Sequence, residues 1–421
     1  MGSRERLGAA AAAPKRSSVP VHEQMPATAR GHARGNPAYL LPGDRLALLA
    51  MTGQGVPWFD PVCALGYNSP VIIDGSRKQG GRMKSVQLGK TGLQVSCVGF
   101  GGIPIQRLSE EEAVRVVQHA LELGVTWIDT ANGYTTSEER IGKAVAGRRD
   151  QVVIATKTGA RDKARATEHL ELSLKRLQTD YIDLWQFHGV SSPEAYETVL
   201  GPGGAMEAAQ AAVAAGKVRH IGITSHSMEI ALRAVPSGRF ETVQFPFNYV
   251  TNEPAQELVP LARAHDLGFI AMKPFAGGLL DQANLSIKYL LRFEGVVPDP
   301  GIEKVEEIEE IVSIVEGPWE MTAAERTALE AIRAEVGTRF CRRCQYCMPC
   351  PEGVEIPTIM NVHSFHKRFP PERFAGPGLA ATMASADNCV QCGQCEEKCP
   401  YELPIIEMVA EYAAFYERVT A

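Results

Sequence analysis

Several features are scarce in this chain, and each scarcity excludes something. There is no basic excess: 43 Lys and Arg face 49 Asp and Glu among 421 residues, for a net charge of −6. A chain so balanced has no general electrostatic drive toward nucleic acid or an anionic membrane. No apolar run approaches the roughly 20 residues of a spanning helix, and the apolar core of a secretory signal is missing from the N-terminus. No G-x-G-x-x-G stands between a strand and a helix, so a Rossmann turn is not expected. Cysteine is nearly missing before residue 341, where only Cys63 and Cys97 occur, yet eight of the ten cysteines lie between Cys341 and Cys399. A secreted disulfide scaffold is small and cysteine-dense throughout. This distribution instead predicts a cytoplasmic protein with a metal-binding tail.

Three stretches differ in character. Residues 1–82 hold most of the positive imbalance and show no sustained periodicity, which predicts a disordered or spurious extension. Met83 is then a candidate start, because Gly80-Gly81-Arg82 can be encoded by a purine-rich ribosome-binding element. An organellar transit peptide is the other reading. Residues 83–316 alternate strand-like and amphipathic segments. The strand-like runs end at Phe100, Asp129, Lys157, His188, Ile223, Pro246, Met272 and Val297. Helical patterns fall on Glu110–Leu123, Ala166–Leu177 and Ala255–His265. Eight βα units predict an α/β fold of the (β/α)8 TIM-barrel type. Ahead of them, Ser85–Ser96 reads as a hairpin around Gly89-Lys90-Thr91-Gly92 that caps the barrel bottom. Residues 317–421 start with a capped helix at Thr322 and end in an amphipathic helix, Pro404–Val419, with two cysteine runs between.

Barrel chemistry sits at the C-terminal ends of the strands. Here Asp129, then Tyr134 on the following loop, then Lys157 and His188 fall on consecutive strand ends. Taken singly, a strand-end Lys or His is more often structural than catalytic; together on one face, the four point to a site. With Leu88–Ser96, Ser137-Glu138, Lys217–Ser225, Gln244…Asn248 and Pro300-Gly301, residues 84–316 resemble the aldo-keto reductases. That resemblance implies a nicotinamide-dependent reduction of an aldehyde or ketone, with Asp129, Tyr134, Lys157 and His188 as the catalytic tetrad. Tyr134 would be the proton donor and His188 would orient the carbonyl. A free phenol titrates near 10, and a lysine ammonium beside it is expected to lower that value. The resemblance also places Thr224, Ser225 and Gln244 at the nicotinamide carboxamide, and Pro274, Phe275 and Gly277 at the pyrophosphate. Gly301 and Lys304 fall near a 2′-phosphate. NADP(H) is therefore expected, with NAD(H) as the alternative. Met272 replaces the usual stacking aromatic, Glu303 precedes Lys304, and the segment from Leu280 to Ser286 is short. The site is thus either open or covered by the C-terminal part.

The second cysteine run is Cys389-x2-Cys392-x2-Cys395-x3-Cys399-Pro400, the bacterial ferredoxin pattern for a 4Fe–4S cluster. The first is Cys341-x2-Cys344-x2-Cys347-x2-Cys350-Pro351. Paired runs of this kind exchange their fourth ligands, which assigns Cys341, Cys344, Cys347 and Cys399 to one cluster. Cys350, Cys389, Cys392 and Cys395 go to the other. Structural zinc and a single cluster are the alternatives. The long gap between the runs and its helical flanks resemble the α-helical ferredoxin type. Two functions remain in view, beside a third reading in which the clusters are structural or sense redox state and catalysis is confined to the barrel. One is carbonyl reduction by the barrel, with a small carbonyl substrate. The other is an electron-transfer module linking NAD(P)H to a redox protein partner through the clusters.

Overall fold

The structure is a computed structural model and describes residues 83–421; the expectations for residues 1–82 lie outside the described residues. A hairpin comes first, β1 (Ser85–Gln87) paired antiparallel with β2 (Gln94–Ser96). Eight parallel strands follow: β3 (Phe100–Gly101), β4 (Trp127–Asp129), β5 (Val153–Thr158), β6 (Ile182–Phe187), β7 (Val218–Thr224), β8 (Thr242–Pro246), β9 (Gly268–Met272) and β10 (Val296–Asp299). They hydrogen-bond in sequence order from β3 to β10. The ring closes where Gly99 N donates to Pro298 O (2.8 Å) and Gly101 N to Pro300 O (2.7 Å). Gly101 is required there, because a Cβ would stand 2.7 Å from Pro300 O. Each strand ends within two residues of its expected position. Helices return the chain between strands, several opened by side-chain caps at Ser109, Asp162, Ser192 and Ser227.

The hairpin plugs the barrel floor, as the sequence suggested. Leu88 and Val95 pack inside against Trp127, Ala155, Leu184, Ile270 and Val297, all fully buried. Gly268 makes room for this, since a Cβ there would lie 2.5 Å from Leu88 Cγ.

The capped helix Ala323–Gly337 carries the expected Thr322/Glu325 capping box. It packs on the barrel rather than on the cysteine-rich segment. Leu329 joins the barrel core together with Met321 and Phe340, and Arg333 Nε donates to Tyr249 O (2.6 Å). Beyond Phe340 a second, smaller core gathers Val354, Ile359, Val362, Phe374, Met408 and Tyr416 from short helices and the terminal helix Ile405–Thr420. This helical domain sits over the C-terminal ends of the barrel strands. Gln106 Nε2 donates to Arg368 O (3.1 Å), Arg373 Nη1 to Gly133 O (3.0 Å) and Arg342 Nη2 to Val250 O (3.1 Å). The mouth is therefore covered, which decides between the two expectations. Among the described residues no helix is long and apolar enough to cross a membrane.

Candidate active site

β4 and β5 end side by side and bring Asp129 next to Lys157, both buried. Lys157 Nζ donates to Asp129 Oδ2 and to Thr130 O, the latter at 2.7 Å. The ammonium stands 5.4 Å from the centre of the Tyr134 ring. His188, just past β6, meets that ring edge-on with centroids 5.7 Å apart, and Arg161 Nη2 fixes its carbonyl at 2.8 Å. The four residues of the expected tetrad thus converge at one mouth.

Their protonation follows from burial and charge. Burial alone would lower the Lys157 pKa, but Asp129, Tyr134 and Asp299 outweigh it and the value rises. Lys157 therefore stays an ammonium. Burial, then the Lys157 and Arg161 charges, pushes His188 down to about 3, so its imidazole is neutral. Tyr134 departs from the expectation of a lowered value. Burial pushes it up, and Asp129 and Asp299 add to this against the opposing pull of Lys157. Desolvation of the phenolate wins, so Tyr134 rests as a phenol ready to donate.

Beneath the tetrad lies a buried amide and carboxyl network. Gln186 Nε2 donates to Gln244 Oε1 (2.9 Å), and Gln244 Nε2 donates to Asp299 Oδ2 (3.2 Å). Asp299 ends β10, and burial with the nearby Asp129 raises its pKa well above the ordinary value. Sequence reasoning did not single it out, although an ionisable residue at the end of a barrel strand is the same signal that selected Asp129 and Lys157.

Of the remaining expected contacts, Thr224 Oγ1 accepts from Gly189 N (2.8 Å) and Ser225 Oγ from Ser227 N (3.0 Å). Both therefore also brace their own loops. Pro274, Phe275, Gly277 and Gly301 line one groove, together with Lys273, Lys367 and Arg368. Lys304 is exposed and is not among the lining residues, whereas Glu303 is. The contribution of Lys367 and Arg368 was invisible in sequence, because both come from the C-terminal domain.

The cysteines fall into two groups. Cys341, Cys344, Cys347 and Cys399 line one hollow. Cys350, Cys389, Cys392 and Cys395 line another, which Cys347 also borders. Among the described residues no three His, Cys, Asp or Glu side chains converge as ligands of one ion. Four cysteines around each hollow are the donor set that a cuboidal iron–sulfur cluster takes.

Residues 97–334 match the family model described as "Aldo/keto reductase family". The chain belongs to this family. Residues 340–404 match a 4Fe-4S dicluster domain, so this aldo-keto reductase is a NAD(P)H-dependent oxidoreductase carrying a fused iron–sulfur domain. Among curated proteins it is 31% identical to the uncharacterized oxidoreductase YqkF of Bacillus subtilis, over 49% of this chain and 71% of that one. It is 33% identical to the aldo-keto reductase YhdN of the same organism (47% and 64%), and 32% to L-galactose dehydrogenase of Arabidopsis thaliana (46% and 66%). The chain spans about two thirds of the length of these relatives. Among solved structures, the holo form of aldo-keto reductase AKR11C1 from Bacillus halodurans superposes with a TM-score of 0.51 at 28% identity, covering 59% of this chain and 96% of that one. A Klebsiella pneumoniae aldo-keto reductase in complex with NADPH gives 0.51 at 25%, covering 60% and 95%.

Proposed function

We propose that this reductase converts an aldehyde or ketone to the alcohol, with Tyr134 as proton donor. The observation that carries the reading is the buried Asp129–Lys157 pair under a protonated Tyr134, with a neutral His188 edge-on beside it. The nicotinamide, when bound, supplies the hydride. His188 donates a hydrogen bond through its neutral ring N–H and orients the carbonyl oxygen. Tyr134 Oη releases its proton to that oxygen as charge develops there, and Lys157 stabilises the phenolate left behind. Asp129 keeps Lys157 charged and fixed. Covering of the mouth by the C-terminal domain excludes water from the reacting centre.

For the cofactor we propose NADP(H), held in the groove of Pro274, Phe275, Gly277 and Gly301. Lys367 and Arg368 supply positive charge for its phosphates, and NAD(H) is the comparison in the same assay. The Klebsiella relative carries NADPH. Thr224, Ser225 and Gln244 are proposed at the carboxamide. Two 4Fe–4S clusters fit the two cysteine hollows, with the fourth ligands exchanged between runs. Clusters supply one-electron transfer, and anaerobic iron analysis should give about eight iron atoms per chain. The test of the catalytic reading is Tyr134→Phe. Carbonyl turnover should fall by roughly 10²–10⁴-fold while NADPH still binds, and full turnover would end the assignment.

A second reading follows from the first cysteine loop reaching the barrel through Arg342, which contacts Val250 O and Glu253: transfer of electrons between NAD(P)H and a redox protein partner. NADPH bleaching the cluster absorbance without any carbonyl compound would favour it.

A further inference from the structure

The loop that carries Tyr134 is tied firmly to the barrel at both ends. On one side Asn132 N donates to Lys157 O (3.0 Å), and Asn132 O accepts from Arg176 Nη1 (3.1 Å). On the other, the buried Ser137 Oγ donates to Gly102 O (2.7 Å). The stretch between them is less well placed to hold itself. Gly133 and Thr135 are exposed, and Thr135 stands at φ +39°, a left-handed conformation unfavourable for a β-branched residue. Such a conformation persists only where surrounding contacts fix it.

Those contacts meet at the domain junction. Thr135 Oγ1 donates to Gln106 Oε1 (3.0 Å). Arg373 Nη1 donates to Gly133 O (3.0 Å) and also reaches Gln106 Oε1 (3.4 Å). Gln106 is buried, and its Nε2 donates to Arg368 O (3.1 Å). One amide thus joins the tyrosine loop to the iron–sulfur domain. Arg373 is itself well seated. Its guanidinium carbon lies 4.2 Å from the centre of the Phe369 ring, which stacks on Phe365 at 4.9 Å. Its neighbour in the short helix Pro371–Phe374, Phe374, is buried in the domain's own core against Tyr416 of the terminal helix. A run of contacts therefore leads from that core to the residues on either side of Tyr134.

We propose that Arg373 is a positioning residue for carbonyl reduction: through Gly133 and Gln106 it fixes the loop that aims the Tyr134 phenol, so that a side chain of the iron–sulfur domain sets the barrel's proton donor. This rests on the carbonyl-reduction reading and adds to it a residue that acts through Tyr134. A planar guanidinium held between a carbonyl, an amide oxygen and an aromatic face has little freedom, and it passes that restraint to the loop. Displacing a reacting group by about 1 Å can cost on the order of a hundredfold in rate, so loss of this hold acts on the chemical step rather than on cofactor binding.

The experiment uses the anaerobically purified, cluster-loaded full chain and the variants Arg373→Ala, Arg373→Lys and Gln106→Ala, with EPR to check that the clusters assemble. Hydrogen–deuterium exchange, read by mass spectrometry without substrate, should quicken over residues 131–137 in Arg373→Ala and stay closer to wild type in Arg373→Lys. Gln106→Ala cuts the same hold from the barrel side and should also quicken it, which keeps the test open if Arg373→Ala does not assemble. With NADPH and benzaldehyde or glyceraldehyde, kcat of Arg373→Ala should fall roughly tenfold to a hundredfold while the Kd for NADPH stays near that of wild type. Arg373→Lys should regain part of the loss. In a Tyr134→Phe background the effect of Arg373→Ala should largely vanish, because a residue acting through the phenol then has nothing left to aim. Wild-type exchange over 131–137 in the alanine variants overturns the proposal. So does a loss from Arg373→Ala that persists undiminished beside Tyr134→Phe, since the arginine would then act elsewhere. If wild type reduces no aldehyde or ketone of a broad panel, the carbonyl-reduction reading fails. Quickened exchange would still support the hold on the Tyr134 loop, and unchanged exchange would still overturn it.

Discussion

At the scale of the residue, the site works by opposing protonation states held in place by burial. His188 is neutral because its pKa is pushed from 6.5 to about 3, by burial first and then by Lys157 and Arg161. The sign of the stability consequence follows from proton counting. Between those two values the unfolded chain binds a proton that the folded chain does not, so stability falls as pH falls through that window. Asp299 has the opposite sign. Its pKa is raised, chiefly by burial and by Asp129, so its contribution is present below the ordinary carboxyl value and is lost as pH rises through the folded value. Melting curves between pH 8 and pH 5 should therefore show His188→Asn losing less stability on acidification than wild type. Asp299→Asn, which cannot ionise, should gain on wild type as pH rises. Parallel curves for all three proteins would contradict both protonation assignments. Tyr134 shows why the sequence alone misjudged a direction. A neighbouring lysine can be read from the residues, but the depth of burial that outweighs it cannot.

At the scale of the element, most of the barrel was legible. Strand ends are marked by polar residues after apolar runs, and Asp129, Lys157 and His188 lie at or beside the ends of consecutive strands. The floor plug was legible too, because two strand-like runs around Gly89 and Gly92 ahead of a barrel have one place to go. Leu88 is fully buried among Trp127, Leu184 and Ile270. Leu88→Ala should cost about 2–5 kcal/mol, measured by denaturant unfolding. It should leave the tetrad spacing intact, since the plug lies at the opposite end of the strands. A loss below about 0.5 kcal/mol, typical of a surface substitution, would show that the hairpin does not plug the floor. The helix Ala323–Gly337 was harder to place. Its cap identified it as a helix, but an amphipathic face does not say what covers it, and Leu329 and Arg333 turn out to serve the barrel. We therefore place the boundary of the two domains near Phe340. Lys367 and Arg368 were missed for the same reason, since their positions depend on how one domain docks on another.

At the scale of the whole molecule, the iron–sulfur domain helps to line the candidate active site. Its own apolar core is small, drawn from short helices with the cysteines packed against it, and domains of that size commonly depend on their metal for folding. Yet the same domain carries Lys367 and Arg368 to the groove proposed for the cofactor and Arg373 to Gly133 beside Tyr134. Cluster assembly and cofactor binding are then linked: whatever loosens the cysteine runs withdraws cations from the groove. Removing iron with a chelator under anaerobic conditions should weaken NADPH binding by about tenfold or more, the equivalent of at least one charge-assisted contact. Fluorescence titration measures it, and far-ultraviolet circular dichroism should show the barrel's helices retained. The barrel has its own continuous core from Cys97 to Phe340, so it has no need of the clusters to stay folded. If chelated and loaded protein bound NADPH equally, the domain would be a passenger on the barrel mouth. The cations would then have to be held by barrel contacts alone, such as Lys367 Nζ on Gly278 O and Arg107 Nη1 on Lys367 O. Those two contacts are exposed, and exposed pairs contribute little, which is why the linked outcome is the expected one.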